Sequence, residues 1–411
     1  MAKANIPFSL PVIDSDVINE MMDTLTRTGW LTSGPKVREL EAEIGKYLGN
    51  DNVLCVNSWT SGAMLILHWF GVGPGDEVIV PAYTYCATAM CVMTLGAKPV
   101  MIDVKDDFTM DPEKIAEAVT ERTKAIIPVD IAGFPCDYDA IRAKLASADI
   151  RQKFHPNSPE QNKLGRILLL ADAAHSLGAR YKNTFIGNVA DVTVFSLHSV
   201  KNITTGEGGA IILNLPEPFD NGELLKYLRV LSLNGQNRSA LEKNQPGAWR
   251  YDIIAHGLKI NMPDLCATVG LSQMRRYKDL FLPERKQIFH YYLDALSNCP
   301  WAVLPPFETS DGTESSYHLF MLRIKGITEE QRDRMIQYCG VNGVAVNVHY
   351  IPMASLTLFK QQGYNAADYP NTIKLYKNEI TLPIYNNLTK EQLKQISDTL
   401  IAAYQQVLEE K

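Results

Sequence analysis

Several short apolar runs in the first half of the chain end on side chains that can do chemistry. "VLCV" at 53–56 is followed by "NSWTSGAM", where Thr60 and Ser61 fall at the start of a helix. Hydroxyls and free N–H groups there suit an anion such as phosphate, although a plain N-cap uses the same residue types. "EVIVP" is followed by "AYTYCATA", and Tyr85 could lie flat on a planar ligand or serve as a core or interface tyrosine. "ILLLAD" ends on Asp172, a carboxylate that needs a cation or donors once buried, and His175 lies three residues on. "TVFSLHSVKNITTGEGGA" offers Ser196 and then Lys201.

Taken singly, each of these residues has an ordinary role, and Lys201 would be a solvated surface charge. Together they describe a pyridoxal 5′-phosphate site: a lysine for the Schiff base, an aspartate for the pyridinium nitrogen, an aromatic face, and hydroxyls with a helix start for the phosphate. Other chemistries lack their residues. "GEGGA" has no G-K-[ST] ending, "GVGPGD" lacks dinucleotide spacing, and H-E-x-x-H and G-x-S-x-G are absent. The eight histidines show no metal-ligand spacing.

These residues need a frame that brings strand ends together. Runs at 53–56, 77–81, 99–104, 125–129, 167–172, 193–198 and 209–214 are continuously apolar and alternate with helix-like segments, which predicts an α/β domain built on a mainly parallel sheet. Ligands of such sheets bind beyond the carboxyl ends of the strands. The polar stretch 147–165 reads as an exposed insertion. After about Pro283 the pattern changes to long amphipathic helices separated by strand-like "SSYHLFMLRI" and "GVAVNVHYI". The expected division is a large domain over 1–262 and a smaller α+β domain over 263–411.

Composition narrows the partners. The 411 residues are 46% hydrophobic and 21% charged, with 40 basic and 46 acidic side chains giving a net charge of −6 and no block of like charge. Neither nucleic acid nor a membrane surface is indicated, so a small-molecule substrate is expected. Seven cysteines without C-x-x-C spacing read as reduced thiols, and no apolar run approaches the ~20 residues of a membrane span. "MAKANIPFSLP" lacks the features of a signal peptide, so the expected location is cytoplasmic.

The stretch "DAAHSLGARYKNTFIGNVADVTVFSLHSVKNITTGEGGA" resembles the signature of the DegT/DnrJ/StrS family of pyridoxal-phosphate-dependent sugar aminotransferases, as do "TGWLTSGPKVRELE", "PAYTYCATAMCVMTLGAKPVMIDV" and "VHYIP". The resemblance implies the aspartate-aminotransferase-like fold (fold type I), with a seven-stranded sheet. It makes Lys201 the Schiff-base lysine, Asp172 the pyridinium partner, Tyr85 the stacking ring and His175 a ring contact. Thr60, Ser61 and Ser196 become phosphate ligands. It further implies a homodimer with shared sites, in which "GLKINM" brings Asn261 to the neighbour's phosphate and Lys259 to its substrate side. Trp30, Thr32, His349 and Tyr350 are the remaining substrate positions.

The K-x-N form of that segment is similar to the branch acting on nucleotide-linked 4-keto sugars, with glutamate as the expected amino donor. Trp59, Gly62, Asn234 and the 147–165 stretch depart from the family's usual form. Aminocyclitol and 3-keto-sugar substrates are the nearest alternatives. A dehydratase of the family would carry histidine in place of Lys201, and a non-catalytic binding protein would not need the set Asp172, Ser196 and Lys201.

Overall fold

The computed structural model describes residues 5–409. Seven strands form the central sheet: β1 Val53–Val56, β2 Glu77–Pro81, β3 Lys98–Ile102, β4 Thr123–Ile126, β5 Leu168–Asp172, β6 Val192–Ser196 and β7 Gly209–Leu213. Their order is β1-β7-β6-β5-β4-β2-β3, and all pairings are parallel except those of β7. Each apolar run seen in the sequence is therefore a strand, because both faces of the sheet are covered and no polar alternation is needed. Alternate side chains feed two cores. Val53, Cys55, Ile79, Leu169 and Ala171 enter one, while Leu54, Val56, Val78, Val80, Leu168 and Leu170 enter the other.

A third core belongs to a smaller unit, in which β8 Ala302–Val303, β9 Phe320–Ile324 and β10 Glu379–Leu382 form an antiparallel sheet. Helices Leu282–Leu296, Glu329–Val341 and Lys390–Glu409 pack against it. The change of core falls near Phe281–Leu282, not at 262/263. Met262, Ala267, Leu271, Met274, Tyr277 and Phe281 all enter the first core. The Asp264 carboxylate also accepts the N–H groups of Gly34, Lys36 and Val37 at 2.7–3.1 Å, tying helix Asp264–Arg276 to the start of helix Pro35–Leu48.

Two further expectations are corrected. The 147–165 stretch is not simply exposed: it forms helices Ala148–Lys153 and Pro159–Leu164, with Ile150 and Gln161 buried. The Gln161 amide donates at 2.9 Å to the Phe70 carbonyl, at the end of helix Trp59–Trp69. Its polarity misled because the buried group is an amide that satisfies a helix terminus. "GVAVNVHYI" joins no sheet as a strand; its backbone pairs with β10 at the single bridge between Asn347 and Thr381, and His349 adds side-chain and N–H bonds to that strand.

Candidate active site

The carboxyl ends of β1, β2, β5 and β6 open into a cavity of about 460 Å³. Thr60, Tyr85, Asp172, His175, Ser196, Lys201, His349 and Tyr350 all line it, so sequence positions spread over almost 300 residues converge on one space.

One end of the cavity is built for an anion. Ser58 caps helix Trp59–Trp69, accepting from the Ser61 N–H at 3.0 Å, and its hydroxyl pairs with that of Ser61 at 2.8 Å. Trp59 and Thr60 begin the helix, where N–H groups have no intrahelical acceptor. Among the described residues the Ser196 hydroxyl, at the end of β6, receives only a long bond of 3.4 Å from the His198 N–H. Opposite them the "GEGG" turn approaches as bare backbone. A Cβ on Gly209 would stand 2.6 Å from the Ser58 carbonyl carbon, and one on Gly208 would stand 2.0 Å from the Thr205 hydroxyl. These glycines are required by close approach rather than by an unusual dihedral angle.

Deeper in the cavity, Asp172 is buried at the end of β5. Its carboxylate accepts from the Thr88 hydroxyl at 2.8 Å and the Ala174 N–H at 3.2 Å. Burial lifts its pKa to about 7, and these two donors and the Lys201 charge only partly oppose that. Lys201 makes no side-chain hydrogen bond or ion pair among the described residues, and burial lowers it to about 8 against the pull of Asp172. A carboxylate and an amine, both moved toward neutrality, thus face one space.

His175 forms the side wall. The Ala132 N–H donates to its Nδ1 at 3.1 Å, so the neutral ring carries its proton on Nε2, which donates to the Tyr350 hydroxyl at 3.1 Å. Burial holds this ring well below the ordinary histidine range, reinforced by Lys201 and His349. Tyr85 lies at the mouth, 60% exposed, with its ring 5.7 Å from that of Tyr350.

The remaining predicted residues lie elsewhere. Ser61 stands behind the helix start and is not part of the cavity wall. Trp30, Thr32, Lys259 and Asn261 gather around a separate turn. There Trp30 Nε1 donates to the Ser33 carbonyl at 3.0 Å, the Thr32 carbonyl accepts from the Asp264 N–H at 3.2 Å, and Asn261 donates to the Ser33 hydroxyl at 2.6 Å. Lys259 donates to Asn261 Oδ1. Sequence reasoning missed Thr88, although it sits three residues after Tyr85 in the segment already singled out. It also missed Glu379 and Thr381 in "EITLP", where a carboxylate in an apolar strand is the same signal that marked Asp172.

The donor set fits pyridoxal phosphate: hydroxyls and a helix start for the phosphate, a carboxylate for the ring nitrogen and an unbonded amine for its carbonyl carbon. Comparison with known proteins agrees. The chain is 34% identical over 402 residues to the spore coat polysaccharide biosynthesis protein SpsC of Bacillus subtilis (strain 168), covering 96% of each chain. Protein Spr1654 of Streptococcus pneumoniae, assigned as a sugar aminotransferase and solved in its PMP form, superposes with a TM-score of 0.93 at 41% identity, over 98% of this chain and all of that one. DesV of S. venezuelae, solved with a ketimine intermediate, gives 0.80 at 26% identity, over 98% of this chain and 99% of that one. The fold is that of fold-type-I pyridoxal-phosphate enzymes. The family profile covers residues 12–151 and 160–401, and its break falls inside the 147–165 stretch that departs from the family form. On this evidence the chain belongs to the DegT/DnrJ/EryC1/StrS aminotransferase family.

Proposed function

We propose that the protein transfers an amino group from an amino acid, glutamate by family resemblance, to the keto group of a nucleotide-linked 4-keto sugar, and that the product serves cell-surface polysaccharide or glycan synthesis. One observation carries the reading: the unbonded Lys201 amine shares a cavity with the buried Asp172 carboxylate. Pyridoxal phosphate, when bound, supplies the carbonyl that takes up the amino group and the ring that receives the electrons. Lys201 would hold it covalently. Once freed, its amine would carry protons at the reacting carbon, because burial lets it lose and regain one near neutral pH. Asp172 would keep the proton on the ring nitrogen. Thr60 and Ser196 would bind the phosphate, with Ser61 supporting them from behind through its bonds to Ser58. Tyr85 would cover the ring face, and His175 would stay neutral at its edge. His349 and Tyr350 would meet the sugar.

A homodimer with shared sites completes the proposal. Trp30, Thr32, Lys259 and Asn261 stand apart from the cavity of their own chain. The segment leading to them also exposes Trp249 (70%), Tyr251, Ile253 and Ile254, an apolar surface of the kind that seeks a partner. In a two-fold dimer Asn261 would reach the phosphate of the other chain, with Lys259, Trp30 and Thr32 on its substrate side. The free state of all seven cysteines suits a cytoplasmic enzyme. No helix among the described residues is long and apolar enough to cross a membrane.

The test is turnover of the purified holoenzyme with glutamate and a panel of nucleotide-linked 4-keto and 3-keto sugars and keto-cyclitols, read as 2-oxoglutarate and amino product. Formation of a 4-amino sugar is expected. Amination of a cyclitol alone would move the substrate class, and loss of a sugar hydroxyl without amino transfer would replace the reaction.

A further inference from the structure

The wall of the cavity contributed by the smaller unit holds a polar chain that the reading above leaves unused. Glu379 and Thr381 lie two residues apart on β10, so they share one face of the strand, and both are fully buried. Glu379 Oε1 and the Thr381 hydroxyl are 2.5 Å apart, and that hydroxyl is 2.9 Å from Nδ1 of His349. The other carboxylate oxygen, Oε2, accepts from the His349 N–H at 3.0 Å. Strand and loop are also joined through the backbone, since Thr381 and Asn347 exchange hydrogen bonds of 2.8 and 3.1 Å. Nδ1 is thereby committed, and Nε2 is the atom His349 offers to the cavity it lines.

This wiring has two self-consistent proton arrangements. With Glu379 ionised, the Thr381 hydroxyl donates to the carboxylate, His349 Nδ1–H donates to Thr381, and Nε2 presents a lone pair. With Glu379 protonated, its O–H donates to Thr381, the Thr381 hydroxyl donates to Nδ1, and Nε2 presents N–H. We propose that Glu379, Thr381 and His349 form a proton relay, in which the buried carboxyl group, acting through Thr381, sets whether His349 gives a proton to or accepts one from an oxygen of the keto substrate. Glu379 and Thr381 are then positioning residues, and His349 is the group that touches substrate.

The relay balances. One proton leaves Glu379, one crosses each hydrogen bond and one arrives at the substrate oxygen, so His349 is neutral before and after. When an amine replaces a carbonyl oxygen, that oxygen leaves as water, and both hydrogens of the water come overall from the amine. The relay lends one proton to the oxygen as its bond to carbon breaks and takes one back from the nitrogen. Burial suits both ends to this use: it lowers His349 to about 3, with Lys201 adding to the effect, and raises Glu379 to about 8. The titratable groups facing His349 are Lys201, His175, His318 and Tyr350, and those facing Glu379 are Tyr83, Tyr350 and Arg332.

The proposal rests on the keto substrate entering this cavity, and three variants separate its failure from the failure of that reading. Glu379→Gln keeps size and can still bond Thr381, but it has no proton to pass and fixes Nε2 as a donor. Thr381→Val cuts the chain, and Thr381→Ser restores it. In holoenzyme labelled with ¹⁵N-histidine, the His349 tautomer should change with pH through about 8 in the wild type and stay fixed in Glu379→Gln. The half-reaction with the keto sugar should slow roughly a hundredfold in Glu379→Gln and Thr381→Val. The half-reaction with the amino acid should keep its rate, and Thr381→Ser should recover most of the loss. A pH-independent wild-type tautomer, or equal slowing of both half-reactions, overturns the relay while leaving amino transfer intact. No amino transfer by the wild type overturns the functional reading and the relay with it.

Discussion

The two walls of the cavity each bury a carboxylic acid on a strand, and they use it differently. On the large-sheet side Asp172 lies beside Lys201, and burial sets it at about 7. On the other side the cation acting on Glu379 is the Arg332 guanidinium outside the cavity wall, not a cavity lysine; hydroxyl and backbone donors bond it, and it stands at about 8. Desolvation is the leading cause in both cases, so burial alone does not decide the role. The neighbours do. A carboxylate next to a cavity open to a cationic ring stays ionised once that ring is present. One reached only through a hydroxyl and an imidazole can pass a proton and take it back.

The sharpest way to break the comparison is at the amine. Lys201→Ala should abolish turnover, and borohydride reduction of the wild-type holoenzyme followed by peptide mapping should place the adduct on Lys201. An adduct on any other lysine would remove it from the site. Asp172→Asn should keep the fold and some cofactor yet lose several orders of magnitude in both half-reactions, because a neutral amide does not hold the ring nitrogen protonated. That pattern contrasts with the single slowed half-reaction expected on the Glu379 wall. Near-normal kinetics in Asp172→Asn would end the distinction.

A smaller effect tests how the two charges on the large-sheet wall are coupled. The neutral amine is the nucleophile, so capture of pyridoxal phosphate by the cofactor-free protein should accelerate as pH rises toward about 8 and level off above it. At neutral pH an amine set there is free of its proton roughly two to three hundred times more often than an ordinary lysine. Asp172 is the charge that raises Lys201, so Asp172→Asn should move the midpoint of this profile downward. An unchanged midpoint, read from the absorbance of the adduct at each pH, would show that the two groups are not coupled.

The shared-site proposal predicts a gain rather than a loss. Lys201→Ala and Asn261→Asp should each be inactive, the second because a new carboxylate repels the phosphate dianion. Mixed dimers would hold one site with both lesions and one with neither, returning roughly half of the wild-type activity under two-fold symmetry. If heterodimers form and no activity returns, Asn261 serves its own chain.

The same physical distinction explains what the sequence revealed. Strands buried on both faces read directly as apolar runs, and Asp172 was conspicuous because nothing polar precedes it in "ILLLAD". Lys201, Ser196 and the helix start near Thr60 and Ser61 could be placed because each follows such a run closely, although the cap itself, Ser58, was missed. Glu379 was equally conspicuous in kind, but it lies in a short strand whose pairing with β9 spans almost 60 residues, and no local pattern indicates that Thr381 meets His349. The core boundary near Phe281 was hidden for a related reason. Helix Asp264–Arg276 joins the large unit through packing on Pro35–Leu48, a contact over more than 200 positions.

The smallest effect is expected where a buried polar group has no role at the cavity. Gln161 is as buried as Glu379, but its amide donates to the Phe70 carbonyl and its carbonyl accepts the Asn157 N–H at 2.9 Å. Both bonds are neutral and hold the 147–165 stretch on the end of helix Trp59–Trp69. Gln161→Ala leaves the Phe70 carbonyl with only the Ser158 hydroxyl as a side-chain donor, also at 2.9 Å, and opens a void where the amide packed. The cost should be about 1–3 kcal/mol of stability, seen as a lower midpoint in urea at unchanged slope. The kinetics of both half-reactions and the pH profile of cofactor capture should match the wild type. A kinetic change at normal stability would mean that this stretch reaches the active site, and that burial without a cavity neighbour is not functionally silent.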